Sequence, residues 1–276
     1  MLDQTFLNQL IEISKDAGKA ILEVYNREGD LNVNKKSDDS PITEADLAAH
    51  KIIEERLKQL TPDIPFLSEE SEMPDYQTRS QWESYWLVDP LDGTKEFVNR
   101  NGEFTVNIAL IKNHKPVAGI VYVPVTDVAY YGAEGLGAFK KAANNSVEPI
   151  STRTMAEKVG PTIVVASRRH GAEKLDAALE LIENKFGECD LANMGSSLKI
   201  CLVAEGKADI YPRLAPTCEW DTAAAQAVLE AAGGVVVDPD MAVFEYNRKE
   251  ALLNPFFFAL GDSVDAWQEV LAKIDC

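Results

Sequence analysis

The chain has 276 residues, 46% of them hydrophobic, and a formal charge of -18. That is enough apolar material for a large core, in one big or two medium domains. The acidic balance excludes non-specific nucleic-acid binding, which needs clustered Lys and Arg to displace counterions from phosphate.

An anionic substrate would have to find its positive charge locally, and bound metal ions are the natural supply in so acidic a protein. Cys189, Cys201, Cys218 and Cys276 form no C-x-x-C pair, and His50, His114 and His170 are scattered, so neither a zinc site nor a disulfide framework is expected. The opening Met1-Leu2-Asp3-Gln4 lacks a basic n-region, and no apolar run approaches the ~20 residues that span a bilayer. The expectation is a cytoplasmic protein, with peripheral attachment to the inner membrane left open.

In chain order, residues 5–26 carry Phe6, Leu7, Leu10, Ile11, Ile21, Leu22 and Tyr25 at helical spacing. A short strand from Leu31 leads into Lys36-Ser37-Asp38-Asp39-Ser40-Pro41-Ile42-Thr43, and a second helix starts at Thr43, with Thr43 and Asp46 placed as a capping box. Pro65-Phe66-Leu67 reads as a buried strand running into Ser68-Glu69-Glu70, and 75–83 as a polar loop.

Tyr85-Trp86-Leu87-Val88 is a strand that stops at Asp89-Pro90-Leu91-Asp92-Gly93-Thr94. Alternate strand residues face opposite ways, so a turn at Pro90 is expected to bring Asp89 and Asp92 to one point. Two carboxylates and the Leu91 carbonyl would then make a hard-oxygen environment suited to Mg²⁺. Residues 104–111 with 117–123, and 127–133 with 137–141, read as hairpins and predict a mostly antiparallel sheet.

Residues 142–160 are the predicted boundary between an N-terminal α+β domain, 1–150, carrying most metal ligands, and a C-terminal α/β domain, 151–276, completing the metal and nucleotide site. Beyond it strands at 162–166, 208–211, 235–237 and 256–260 alternate with helices at 172–186, 197–205, 220–232 and from Asp265. Strand ends gathered at one sheet edge would bring Glu69, Glu70, Asp89, Asp92, Asp38 and Asp221 together. Converging carboxylates repel unless cations neutralise them, and two nearby ions suit phosphate-ester cleavage. Read singly, the acids have duller explanations: Asp221 as a helix N-terminal aspartate stabilising by about 0.5 to 2 kcal/mol, Asp38 as a turn residue, Glu69 and Glu70 as solvated loop acids.

Leu67-Ser68-Glu69-Glu70-Ser71, the segment from Trp86 to Thr94, and Glu219-Trp220-Asp221-Thr222-Ala223-Ala224 together resemble the three signature segments of the inositol monophosphatase superfamily of Mg²⁺-dependent, lithium-sensitive phosphatases. Lys95-Glu96-Phe97 and the segment from Lys36 to Thr43 resemble its 3′(2′),5′-bisphosphate nucleotidase branch, and so do Gly195-Ser196-Ser197-Leu198-Lys199 and Asp209-Ile210-Tyr211-Pro212-Arg213. The resemblance implies a mixed α+β and α/β fold layered as an α/β/α/β/α sandwich. It implies hydrolysis of 3′-phosphoadenosine 5′-phosphate to AMP and phosphate, with the sulfated analogue as a further substrate, in sulfur assimilation.

The resemblance also implies a first Mg²⁺ on Glu69, Asp89 and the Leu91 carbonyl, a second on Asp89, Asp92 and Asp221, and a third assisted by Glu70. An activated water would attack phosphorus in line while Thr94, backed by Asp38 or Asp46, accepts its proton. Gly93 and Thr94 N–H groups would cradle the phosphate, with His170, Lys199 and Arg213 for the 5′-phosphate and adenosine and Ser196 as a donor. The expected partner is a small nucleotide bisphosphate, bound by a monomer or homodimer.

Three rival readings fit the same acids. A haloacid-dehalogenase phosphatase uses a D-x-D-G-T whose spacing differs by one residue. Inositol 1-phosphate or fructose 1,6-bisphosphate could be the substrate instead. A non-catalytic Ca²⁺ module is the third, but its acids usually share one compact loop.

Overall fold

The computed structural model describes residues 2–27, 33–35, 41–166 and 172–274. The first helix, α1, runs Gln4–Tyr25 and buries Leu7, Leu10, Ile11, Ala17 and Ile21 on one face, as the spacing predicts; Asp3 caps it by accepting from Phe6 N. Two short strands, β1 (Val33–Lys35) and β2 (Pro41–Thr43), pair antiparallel ahead of α2 (Glu44–Leu60). Thr43 therefore ends a strand, and the helix opens on Glu44.

Strand β3 (Phe66–Ser68) is followed by a short helix, α3 (Tyr76–Arg79), inside the stretch expected to be a loop. The helix is explained by Arg79, which is buried and reaches Asn247 and the Lys249 carbonyl (3.1 Å). Asn247 in turn donates its N–H to Glu219 at 2.9 Å. Strand β4 (Ser84–Asp92) and helix α4 (Thr94–Val98) carry the central motif. Strands β5 (Thr105–Lys112), β6 (Lys115–Val123), β7 (Val128–Ala133), β8 (Gly137–Lys141) and β9 (Val147–Ile150) follow as an antiparallel meander. Asn113 and His114 both have positive φ at the tip joining β5 to β6, the conformation a two-residue hairpin needs. The seven-stranded sheet runs β3-β4-β5-β6-β7-β8-β9 with β3 parallel to β4, and its last strand lies within 142–160, the stretch read as a domain boundary.

The second sheet is built from β10 (Thr162–Ala166), helix α5 (Ala172–Phe186), β11 (Cys189–Asn193), helix α6 (Leu198–Ala204), β12 (Ile210–Arg213), helix α7 (Glu219–Ala231), β13 (Val235–Val237), β14 (Phe257–Leu260) and helix α8 (Val264–Leu271). Its order is β11-β10-β12-β14-β13, parallel at β11-β10-β12 and antiparallel beyond. Strand β11 carries no clear strand signal in the sequence, because Asp190 and Asn193 break its apolar pattern and much of it is exposed.

Three cores separate the layers. Helices α1 and α2 pack on one face of the first sheet through Ile11, Ile53, Trp86 and Ile108. Helices α6 and α7 fill the space between the sheets with Leu87, Ile200, Val228 and Phe257. Helices α5 and α8 cover the outer face of the second sheet with Ile182, Phe258 and Trp267. The result is the expected α/β/α/β/α sandwich. Helix α7 approaches the first sheet closely because it is rich in alanine and lies on glycine: a Cβ on Gly119 would come within 2.3 Å of the Ala224 carbonyl, and one on Gly132 within 2.9 Å of Ala231 Cβ.

Candidate active site

The two aspartates of β4 meet through a bulge, where a turn was expected. Asp89 pairs with Asn107 and Asp92 with Thr105, so three steps along β4 match two along β5. An unbroken strand would send residues 89 and 92 to opposite faces. The extra residue cancels the alternation and leaves both on the face that Tyr85 and Leu87 present to α6 and α7, while Leu91 packs into the α1–α2 core. Inside the bulge Leu91 N donates to Asp89 Oδ1 at 3.0 Å.

Helix α7 delivers the third acid. Asp221 sits in its first turn and accepts the Cys218 N–H at 2.8 Å, so the helix-capping role expected for it is real. Asp89, Asp92 and Asp221 each offer an oxygen within 4.8 Å of the others. Glu69, held beside them by its N–H to the Val88 carbonyl (3.2 Å), stands outside that group, yet its charge is felt at both Asp89 and Asp221.

The electrostatics are those of a site short of positive charge. Asp89 is 1% exposed, and its carboxyl is pushed well above the usual range by burial first, then by Glu69, Asp92, Asp221 and Asp46. Asp221 is pushed up to about 8, again by burial first and then by Asp92, with the Cys218 N–H and Arg213 opposing. A hard, all-oxygen donor set with surplus negative charge fits a Mg²⁺-type cation, and no other ligand chemistry competes among these side chains.

Asp92 is anchored from the far side. Its Oδ2 accepts from Ser197 N at 2.6 Å, lies 2.7 Å from the Ser197 hydroxyl, and is 3.5 Å from Asn107 Nδ2. Neither Ser197 nor Asn107 was singled out from the sequence. A signal was present for Asn107, an amide in the middle of the apolar strand 105–112, since such a group is buried at a cost unless it is paired.

A cavity opens beside the acids, lined among others by Asp92, Gly93, Ser196, Lys199, Arg213 and Asp221. Gly93 has φ +92 and caps α4, whose first residue is Thr94. Lys199 is buried over the Tyr211 ring, with Nζ 2.6 Å from the Ser196 carbonyl and 3.4 Å from that of Met194; burial lowers its pKa to about 8, against the pull of Asp92. Arg213 donates to the carbonyls of Ala215 (3.1 Å) and Pro216 (2.9 Å). Both cations thus also brace the cavity wall, a task their sequence positions did not announce.

Asp46 is buried on α2, near enough to raise Asp89. Glu70 donates its N–H to Ser68 Oγ at 3.3 Å, and its charge reaches His50, whose own pKa is lowered by burial. Asp38 and His170 lie outside the described residues.

The profile of the inositol monophosphatase family matches residues 2–270. The chain belongs to that family. It is 48% identical over 251 residues to the 3′(2′),5′-bisphosphate nucleotidase CysQ of Salmonella typhimurium, covering 91% of this chain and 98% of that protein. The crystal structure of CysQ from Bacteroides thetaiotaomicron, a bacterial member of the same family, superposes with a TM-score of 0.82 at 41% identity over 93% of this chain and 97% of that one. An inositol monophosphatase of Thermotoga maritima shares the fold at a TM-score of 0.75 and 23% identity, over 99% and 100% of the two chains. Among the described residues no helix is long and apolar enough to cross a membrane.

Proposed function

We propose that the protein is a Mg²⁺-dependent 3′(2′),5′-bisphosphate nucleotidase that hydrolyses 3′-phosphoadenosine 5′-phosphate to AMP and phosphate, and the sulfated analogue in the same manner, within sulfur assimilation. The observation that carries the chemistry is the convergence of Asp89, Asp92 and Asp221 within 4.8 Å at the end of a cavity that Lys199 and Arg213 also line. The nucleotide preference is supported by the bisphosphate nucleotidases to which the chain is nearly half identical. These relatives disfavour inositol 1-phosphate and fructose 1,6-bisphosphate.

Glu69, Asp89 and the Leu91 carbonyl would hold one ion, Asp89, Asp92 and Asp221 a second, and Glu70 would assist at a third. When bound, the ions lower the pKa of water and offset charge on the phosphoryl and leaving oxygens. The chain's own residues do the rest. Thr94 takes the proton of the attacking water, with Asp46 or Asp38 as the carboxylate behind it. Gly93 is left-handed at the cap of α4, and the N–H groups of Gly93 and Thr94 would cradle the phosphate. Arg213, Lys199 and His170 supply positive charge for the 5′-phosphate, and Ser196 a hydroxyl. The protein acts as a monomer or homodimer on this small substrate.

The test is phosphate release from 3′-phosphoadenosine 5′-phosphate, with inositol 1-phosphate alongside. Activity that requires Mg²⁺, is inhibited by Li⁺ and favours the nucleotide is expected; equal or faster release from inositol 1-phosphate overturns the assignment.

A further inference from the structure

Strand β5 is buried at every position from Thr105 to Ile111, yet it carries Thr105 and Asn107 on the face that holds the acids. Their polar groups are matched by one another and by a loop about ninety residues later in the chain. Thr105 Oγ1 donates to Asn107 Oδ1 at 3.0 Å and lies 3.4 Å from Ser196 Oγ, while Asn107 Nδ2 donates to Ser197 Oγ at 2.8 Å. The single Ser197 hydroxyl proton has two acceptors, each at 2.7 Å: Asp92 Oδ2 and the Asp221 carbonyl. One hydroxyl therefore touches the residue at the end of β4 and the residue in the first turn of α7.

Asp92 Oδ2 consequently faces three donors, which leaves Oδ1 as the oxygen available to a cation. The same loop is pinned from its other side by Gly195 N donating to Glu103 Oε2 at 2.7 Å and by Lys199 on the Ser196 carbonyl. Gly195 is required there, since a Cβ would stand 2.9 Å from the Glu103 backbone and side chain. Met194, Gly195, Ser196 and Ser197 all line the substrate cavity.

We propose that Ser197 and Asn107 are positioning residues that restrict Asp92 to one ligating oxygen and couple the 194–197 wall of the substrate cavity to the cation held by Asp92 and Asp221. This rests on the metal-dependent reading above. Because the hydroxyl that orients Asp92 belongs to the loop the substrate touches, nucleotide in the cavity and metal on the acids each favour the arrangement the other needs, and that coupling is reciprocal. Partners that orient a ligating carboxylate typically contribute about 10- to 100-fold in metal affinity.

The experiment is a Mn²⁺ titration of the metal-free protein by calorimetry, with and without AMP, for wild type, Ser197→Ala and Thr105→Val. Ser197→Ala is expected to weaken the looser Mn²⁺ step about 10-fold and to abolish the tightening by AMP in the folded variant, with some lowering of the metal-free melting temperature because Asn107 Nδ2 loses its acceptor. Thr105→Val, at the far end of the network, is expected to shift the same step by less than Ser197→Ala. If Ser197→Ala does not fold, Ser197→Cys keeps the volume with a weaker donor and is expected to show the same direction. Mn²⁺ affinity within twofold of wild type in the folded variant, with only KM raised, overturns the inference and makes Ser197 a plain wall residue. Wild-type protein that binds no Mn²⁺ at all instead overturns the metal-dependent reading, a distinct outcome.

Discussion

Asp89 and Asp209 are the same residue type, each 1% exposed, in the same chain. Asp209 is fully compensated: Arg153 grips both its oxygens at 2.7 Å, and Ile163 N donates to Oδ2 at 2.7 Å. Asp89 meets Leu91 N, and around it stand Asp92, Asp221, Glu69 and Asp46. A buried carboxylate that only had to hold the fold would be built like Asp209, because leaving a buried charge unbalanced costs several kcal/mol. The difference separates a carboxylate that ties β12 to the start of β10 from one arranged to receive a cation.

The sharpest way to break the comparison is to neutralise each acid. Asp89→Asn is expected to lower phosphate release by at least about 1000-fold, since in the proposed arrangement Asp89 would be shared by two ions and its loss would weaken both. The same variant is expected to unfold at equal or higher temperature than wild type in EDTA, because it removes charge repulsion. Residual turnover above a few per cent, or a clear loss of metal-free stability, would place Asp89 with Asp209. Asp209→Asn is the mirror image: a loss of about 3 kcal/mol in denaturant unfolding, with unchanged Mn²⁺ affinity in the folded fraction.

A smaller effect is expected from pH. Asp221, at about 8, and Asp89, also raised, keep protons in the folded chain that the unfolded chain has released above its carboxylate pKa of roughly 4. The folded state binds more protons in that window, so these two groups' contribution is fully present below about pH 4 and is lost as pH rises toward about 8. Urea unfolding in EDTA should therefore show wild type losing stability relative to Asp89→Asn between pH 5 and pH 8, and saturating Mg²⁺ should remove the difference. A gap that does not change with pH would mean that burial and the neighbouring acids do not raise these carboxyls in the folded chain.

The smallest expected change supplies the baseline. Lys15 and Asp127 form a partly exposed pair at 2.9 Å. Lys15→Ala should cost about 0.5 kcal/mol or less and leave turnover untouched, as surface pairs do. A larger loss would show that exposed charge matters more here than the contrast of the two buried aspartates assumes.

The legible parts of the site were those whose chemistry is local. Glu69, Asp89, Asp92 and Asp221 stand where apolar elements end, so their placement could be read one segment at a time, and the family likeness joined the segments. The bulge was not legible, because Asp-Pro-Leu-Asp-Gly has the composition of a turn and only pairing with β5 shows three residues matched to two. Lys199 is legible as a candidate for the 5′-phosphate through the family likeness; its burial over Tyr211 depends on α6 packing against β12, which nothing near position 199 reveals. Ser197 and Asn107 were missed for a related reason, since each acquires its role through a partner about ninety residues away.

Periodicity and turn chemistry are properties of neighbours along the chain, so the sequence by itself determined the longer helices but not the short α3 and α4, most of the strands, the hairpins and which acids are candidates for metal. Convergence is a property of neighbours in space. Only the folded sheet, with its extra residue in β4 and the glycine-lined seat that lets α7 approach, decided that three carboxylates share one point, and which hydroxyl joins Asp92 to the Asp221 backbone.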